Sequence, residues 1–191
     1  MLAGLLPAKG MPRPPAGPPP ALVPALAAGV GAFLTYAPTV NSITAGDSGE
    51  LLNAAANWSV AHPPGYPLWT LLVGGLLRFP GLPAPGDSAS RAAVLSLFSA
   101  SGALFFLALS ALSLPALFRP AGAAAAASSS RPTPGTVAAA VGVAWLFGTS
   151  KTAWRYAVQA EVFALNNLLV SALVWATVRR PRPSRADPRL G

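Results

Sequence analysis

Runs of apolar residues alternate with short polar or proline-rich segments along most of the chain, and the length of each run limits what it can form. The first, 21–40, carries no charge and measures about 30 Å as a helix, the thickness of a bilayer's hydrocarbon core. Pro24 falls in its first turns, where a missing amide costs little. Asp47 then opens a helical pattern carried by Leu51, Leu52, Ala55 and Trp58. His62, Pro63, Pro64, Gly65 and Pro67 end it, because a proline disfavours the helical conformation in the residue before it. The run 68–79 lies between Pro67 and Pro80 and reaches roughly 18 Å as a helix, too short for a crossing. Its length predicts a helix lying at the membrane interface, with Trp69 and Arg78 at headgroup level; a short tilted span is the alternative.

The run 92–118 contains no charge and carries the small residues Ser99, Ala100, Ser101 and Gly102, which let helices approach closely. Residues 119–135, RPAGAAAAASSSRPTPG, form a low-complexity loop. A weaker span follows at 136–153, with Lys151 placed to snorkel at its end. The last span, 162–178, is closed by Trp175 and a cluster of arginines. Residues 1–20 are too rich in proline to continue a helix and too short in apolar length for a signal sequence, so they predict a disordered cytoplasmic leader. The organisation is then a leader at 1–20, a membrane domain at 21–178 and a basic cytoplasmic tail at 179–191.

Composition supports an all-α integral membrane protein: of 191 residues, 53% are hydrophobic and 9% charged, where a water-soluble surface needs about 25% charged residues. The net charge of +8 does not point to nucleic acid, because the basic residues are scattered or gathered in the tail with no aromatic interleaving. They read instead as orientation signals. Four spans with a cytoplasmic start put Lys9, Arg13, Arg119, Arg131 and the five tail arginines inside, leaving Arg78, Arg91, Lys151 and Arg155 outside. A fifth span at 68–79 would place the arginine tail outside, so the positive-inside rule favours four. Both acidic segments, at Asp47 to Glu50 and at Glu161, then share the non-cytoplasmic face. The absence of cysteine excludes disulfides and thiolate metal sites.

Asp47-Ser48-Gly49-Glu50 fits two chemistries. Asp47 as N-cap with Glu50 three residues on makes a capping box before the run LLNAAA. The same aspartate, held at a membrane surface, suits a general base that deprotonates an acceptor hydroxyl. Both hold together if Glu50 serves the cap and Asp47 the chemistry. His62 sits in a proline-stiffened corner that fixes its direction, which suits positioning or phosphate contact; a loop histidine is also commonly a plain surface group. A lone histidine excludes a His-rich metal site and leaves a carboxylate-only site open. Asn57-Trp58-Ser59 matches the N-glycosylation pattern. Glu161 reads either as a favourable anion at a helix start or, with Asn166 and Asn167, as a polar group facing a cavity. Lys151 and Arg155 suit a lipid-linked phosphate as well as interfacial snorkelling. GTSKT at 148–152 lacks the glycine before lysine and the preceding strand of a phosphate loop.

The stretch from Thr35 to Thr70, TYAPTVNSITAGDSGELLNAAANWSVAHPPGYPLWT, followed by AVQAEVFALNNLL at 157–169, resembles the membrane-embedded protein O-mannosyltransferases that modify IPT domains of plexins and related receptors, together with their bacterial relatives. The blocks GDSGEL and AHPPGYPL carry the resemblance, which covers roughly 21–178. It implies a GT-C-like polytopic helical bundle, with about four transmembrane helices and one or two luminal interfacial helices. It further implies a polyprenyl or dolichyl phosphate sugar as donor, mannose as the sugar, and a protein Ser/Thr hydroxyl as acceptor. No resident cofactor follows from it, and a divalent metal is left open. Carried over, Asp47 is the catalytic base with Glu50 beside it, His62 and Tyr66 wall the site, and Glu161 is the acid of the second loop. On electrostatic grounds, apart from the resemblance, Arg155 is expected to steady the leaving phosphate. The setting would be the endoplasmic reticulum membrane, with the active-site loop luminal. GT-C enzymes have many more spans, so the chain is expected to be an N-terminal part. The competing reading is a non-enzymatic polytopic protein, a transporter fragment or inactive remnant in which the acidic block merely caps a helix.

Overall fold

A computed structural model of the chain describes residues 20–42, 46–79, 87–118 and 131–179. The expected leader apart from Pro20, most of the low-complexity loop, and the tail beyond Arg179 lie outside the described residues. Among those residues the fold is all-helical: α1 (Leu22–Tyr36) running into a 3-10 turn (Ala37–Thr39), α2 (Ser48–Asn57), α3 (Pro67–Arg78), α4 (Ser88–Leu117), α5 (Pro134–Gly148), α6 (Lys151–Ala157) and α7 (Phe163–Val178).

The 30-residue α4 is the axis. Asp87 starts it by accepting the Ser90 amide at 2.7 Å, and that bond holds its carboxyl below the ordinary value. Further along, Leu97, Leu104, Ala108 and Leu109 of α4 pack with Ala25, Ala28, Ala32 and Tyr36 of α1, Ala144 of α5, Ala157 of α6 and Ala164 of α7. Nearer its start, Ala92 joins a second core made by Leu51, Ala54 and Ala55 of α2, Trp69 and Val73 of α3, and Ala160, Val162 and Leu165 around the α6–α7 turn. One helix therefore holds the small α2–α3 pair against the larger bundle.

Small residues set how closely the helices meet. A Cβ on Gly29 would lie 3.1 Å from the Ser101 carbonyl oxygen, and one on Gly102 would lie 2.8 Å from Cδ1 of Leu168. The small patch on α4 thus faces α1 with one residue and α7 with the next, as close packing between apolar helices requires.

Leu22–Thr39 and Ser88–Pro115 are long and apolar enough to cross a membrane. With 15 and 16 residues, α5 and α7 reach about 22–24 Å, shorter than the roughly 30 Å hydrocarbon core. The span expected at 136–153 breaks after Gly148. Ser150 is extended there and accepts the Ala153 amide at 3.3 Å, so it caps α6. Lys151 consequently opens a new helix instead of ending a span. Trp69 also departs from expectation: it is buried and donates its indole N–H to the Glu161 carbonyl at 3.2 Å. Arg78 reaches back to α2, donating to the carbonyls of Ala56 at 2.5 Å and Ala55 at 3.4 Å, and it lies 4.6 Å over the Trp58 ring. An arginine placed this way satisfies carbonyls that a helix end leaves open.

Where α1 ends, Tyr36 donates its hydroxyl to the Gly148 carbonyl at 2.8 Å and meets Trp154 edge-on at 5.1 Å. This bond closes a buried C-terminal carbonyl of α5, so Tyr36→Phe leaves that acceptor unpaired at a cost of about 1–3 kcal/mol. Reversible unfolding of the detergent-solubilised chain measures it; an unchanged midpoint would show the bond to be dispensable.

Candidate functional site

Helix α2 begins beside a glycine with φ of 62°, Gly46, a left-handed conformation that L side chains rarely adopt. The turn brings Asp47 to the N-cap position, where its carbonyl accepts the Leu51 amide at 2.9 Å. Its carboxylate makes no capping hydrogen bond. The expected capping box is therefore absent, because Glu50 is engaged elsewhere. Glu50 Oε1 accepts the His62 backbone amide at 2.6 Å, and its Oε2 lies 3.0 Å from His62 Nδ1. The His62 amide is the first cause holding the Glu50 carboxyl below its ordinary value, with the imidazole adding to it.

The second ring nitrogen, Nε2, stands 3.6 Å from Asp47 Oδ2. One imidazole thus bridges two carboxylates that sit one helical turn apart. The corner Ala61 to Pro67 holds it there: the Gly65 amide donates to the His62 carbonyl at 2.8 Å, the Pro63–Pro64 bond is cis, and Tyr66 packs edge-on at 5.6 Å. The cluster remains open to solvent, with side-chain exposures of 66% for Asp47 and 35% for His62.

Glu161 lies behind this cluster, 6% exposed. Ser48 donates its hydroxyl to Glu161 Oε1 at 2.8 Å, while the Glu161 carbonyl accepts Trp69 from α3 and Ser96 from α4, each at 3.2 Å. Burial pushes its carboxyl above the ordinary value; Ser48 opposes the shift, the charge of Asp47 adds to it, and Arg155 opposes it. Arg155 is exposed and donates to Gln159 at 3.4 Å. Asn57 sits at the opposite end of α2, exposed and bonded to Asn53. Asn166 is exposed and Asn167 half-buried on the first turns of α7. The structure therefore gathers Asp47, Glu50, His62 and Tyr66, sets Glu161 under them through Ser48, and leaves Asn57 remote. Sequence reasoning missed Ser48, Ser96 and Trp69 as the partners of Glu161; Trp69 at a fixed offset from the HPPGYP corner was the available signal.

Past the corner, Trp58, Val60, Pro64, Pro67, Thr70 and Leu71 line an open, mostly apolar cleft of about 320 Å³. Among the described residues no group of three or more histidine, cysteine, aspartate or glutamate side chains is arranged to hold a metal ion.

Residues 47–187 match the family described as the protein O-mannosyl-transferase TMEM260 N-terminal domain. The chain belongs to this family. A mouse protein named protein O-mannosyl-transferase TMEM260 is 38% identical over 149 residues, covering 78% of this chain and 18% of that protein. A Dictyostelium discoideum protein of the same name is 30% identical over 145 residues, covering 72% of the chain and 14% of the relative. The chain thus spans less than a fifth of the length of these curated relatives. No solved structure matches it. The match starts at Asp47 and takes in every residue of the cluster around His62.

A carboxyl whose pKa is raised on folding binds more protons in the folded state than in the unfolded one, so its contribution to stability falls as pH rises through the folded pKa. Wild-type protein should therefore lose stability relative to Glu161→Gln as pH climbs above the ordinary value of 4.5, since glutamine keeps an acceptor for Ser48 without a charge to bury. Denaturant midpoints of both proteins over that range test it, and parallel curves would contradict it.

Proposed function

We propose that this chain is the N-terminal catalytic module of a GT-C-like glycosyltransferase. It moves a sugar, mannose, from a polyprenyl or dolichyl phosphate to a Ser/Thr hydroxyl of a protein acceptor at the luminal face of the endoplasmic reticulum membrane. Membership of the O-mannosyl-transferase family supports the reaction class. The observation that carries the assignment within the chain is the state of Asp47, an exposed carboxylate that caps no helix and faces an imidazole already held by Glu50.

In this reading Asp47 takes the proton as the acceptor oxygen attacks the anomeric carbon of the sugar. The bond from that carbon to the phosphate oxygen breaks, and the electron pair leaves on a phosphate that is already anionic, so little acid assistance is needed. Arg155 steadies the leaving phosphate electrostatically. Tyr66 walls the site, and the apolar cleft past the corner suits the hydrocarbon part of a lipid-linked donor.

Membrane placement follows the charge pattern: α1, α4, α5 and α7 span, the last two with help from flanking residues, and α2 and α3 lie on the luminal surface. Rows of exposed apolar side chains support it, among them Val23, Leu26, Val30 and Leu34 on α1 and Leu169, Val170, Leu173 and Val174 on α7. Helices that are apolar on their outer as well as their inner faces belong in lipid.

Asp47→Asn, placed at the matching aspartate of a full-length family member, should lower transfer from a lipid-phosphate mannose about 10²–10⁴-fold while leaving donor binding intact. Transfer near the wild-type rate would refute Asp47 as the base. For topology, the chain's lack of cysteine allows single cysteines at Ser88 and, separately, Ser128. Membrane-impermeant labelling of sealed vesicles should reach them from opposite sides, with Ser128 cytoplasmic; the reverse assignment would indicate a fifth span at α3.

A further inference from the structure

The geometry around His62 goes a step past the assignment of a base. Both polar handles that His62 offers on one side, its backbone amide and Nδ1, are taken by the two oxygens of a single carboxylate, Glu50, at 2.6 and 3.0 Å. Glu50 lies one helical turn from Asp47, so the same rigid helix fixes the spacing of the two acids. The ring plane is set from the other side by Tyr66, nearly perpendicular at 77°. A carboxylate that accepts a hydrogen bond from Nδ1 fixes the tautomer with its proton there. The lone pair of Nε2 then points toward Asp47 Oδ2, 3.6 Å away. A ring held on two sides with its one basic nitrogen toward a candidate base is arranged to receive that base's proton.

We infer that His62 is the proton relay for Asp47, and that Glu50 acts through His62 as the positioning residue that fixes its imidazole. The inference rests on Asp47 being the base. Once the acceptor hydroxyl has given its proton to Asp47, the proton passes to Nε2, which restores the carboxylate and leaves an imidazolium between two carboxylates. The imidazolium so formed is paired with a carboxylate on each ring nitrogen. The half-exposed ring then releases the proton to water. No bond other than O–H and N–H changes in these steps, and no further reactant is needed. Among the described residues, three groups face the ring: Asp47 and Glu50 at the start of α2, and Tyr66 of the corner.

Two measurements test the relay. His62 is the only histidine of the chain, so histidine-selective 15N labelling of the chain in detergent micelles gives one imidazole whose two nitrogens are read without assignment. At the pH of the transfer assay, Nδ1 should carry the proton and Nε2 should not. Glu50→Ala should move the proton toward Nε2, and Asp47→Asn should leave it on Nδ1. A wild-type ring with its proton on Nε2, a ring carrying both protons at that pH, or a tautomer indifferent to Glu50→Ala overturns the inference, whatever the fate of Asp47. In a full-length family member, the matching His62→Ala should lower turnover about 10²-fold with KM for the donor little changed, and free imidazole should restore at least tenfold of the loss. A variant that imidazole does not restore counts against the relay even if Asp47→Asn is inactive; an active Asp47→Asn refutes the base and the relay together.

Discussion

A carboxyl group almost removed from solvent ties the helices of one end of the molecule together at Glu161. Its side chain receives the first helical residue of α2, and its carbonyl receives an indole from α3 and a hydroxyl from α4. Burying polar groups is costly unless they are paired, and the partners of this residue's carboxyl and backbone carbonyl come from three separate helices. The Ser48 bond that relieves the burial of the carboxyl also ties down the start of α2. Because Asp47 and Glu50 are counted from that start, the position of the whole acidic cluster depends on a residue more than a hundred positions later in the chain.

The second constraint is mechanical. A pair as short as α2 and α3 has little core of its own, and it gains one only by sharing Ala92 of α4 and the turn before α7. Arg78 closes the far end of α2 onto α3 through the carbonyls of Ala55 and Ala56, so α2 is held at both termini by side chains from other elements. Rigid support of this kind is what a proton-transferring group needs, since small displacements of a reacting atom cost large factors in rate. It also explains why Gly74 has no side chain: a Cβ there would lie 2.8 Å from the Ala55 carbonyl oxygen.

Much of the helix content was legible in the sequence because length and punctuation determine it. Pro67 and Pro80 bracket α3, and the uncharged run after Arg91 is nearly the whole of α4, whereas α2 stops at Asn57 with Trp58 left-handed, ahead of the prolines that the sequence points to. The errors have physical causes. The break between α5 and α6 lies in GTSK, a short polar step that a lysine at the end of a span also explains, and the deciding feature is a serine whose cap geometry no hydropathy pattern records. Trp69 looked interfacial because tryptophan favours headgroups, yet its partner is a backbone carbonyl, a group that sequence cannot place. The capping box failed for a related reason. The spacing of Asp47 and Glu50 suits a cap, but a histidine twelve residues beyond Glu50 offers two donors where a helix end offers one, and hydrogen bonds to a charged carboxylate favour the site that supplies more of them.

Asp47 and Glu161 show how one small region gives two acids different lives. They are close enough for the charge of Asp47 to bear on the proton of Glu161, yet one is two-thirds exposed and the other is packed under a helix start. Burial raises the pKa of the Glu161 carboxyl, and the charge of Asp47 adds to that shift. The contrast in exposure fits the proposed roles, with Glu161 holding the site in place and the proposed proton transfer kept to the open side, where Asp47, His62 and Glu50 face one another.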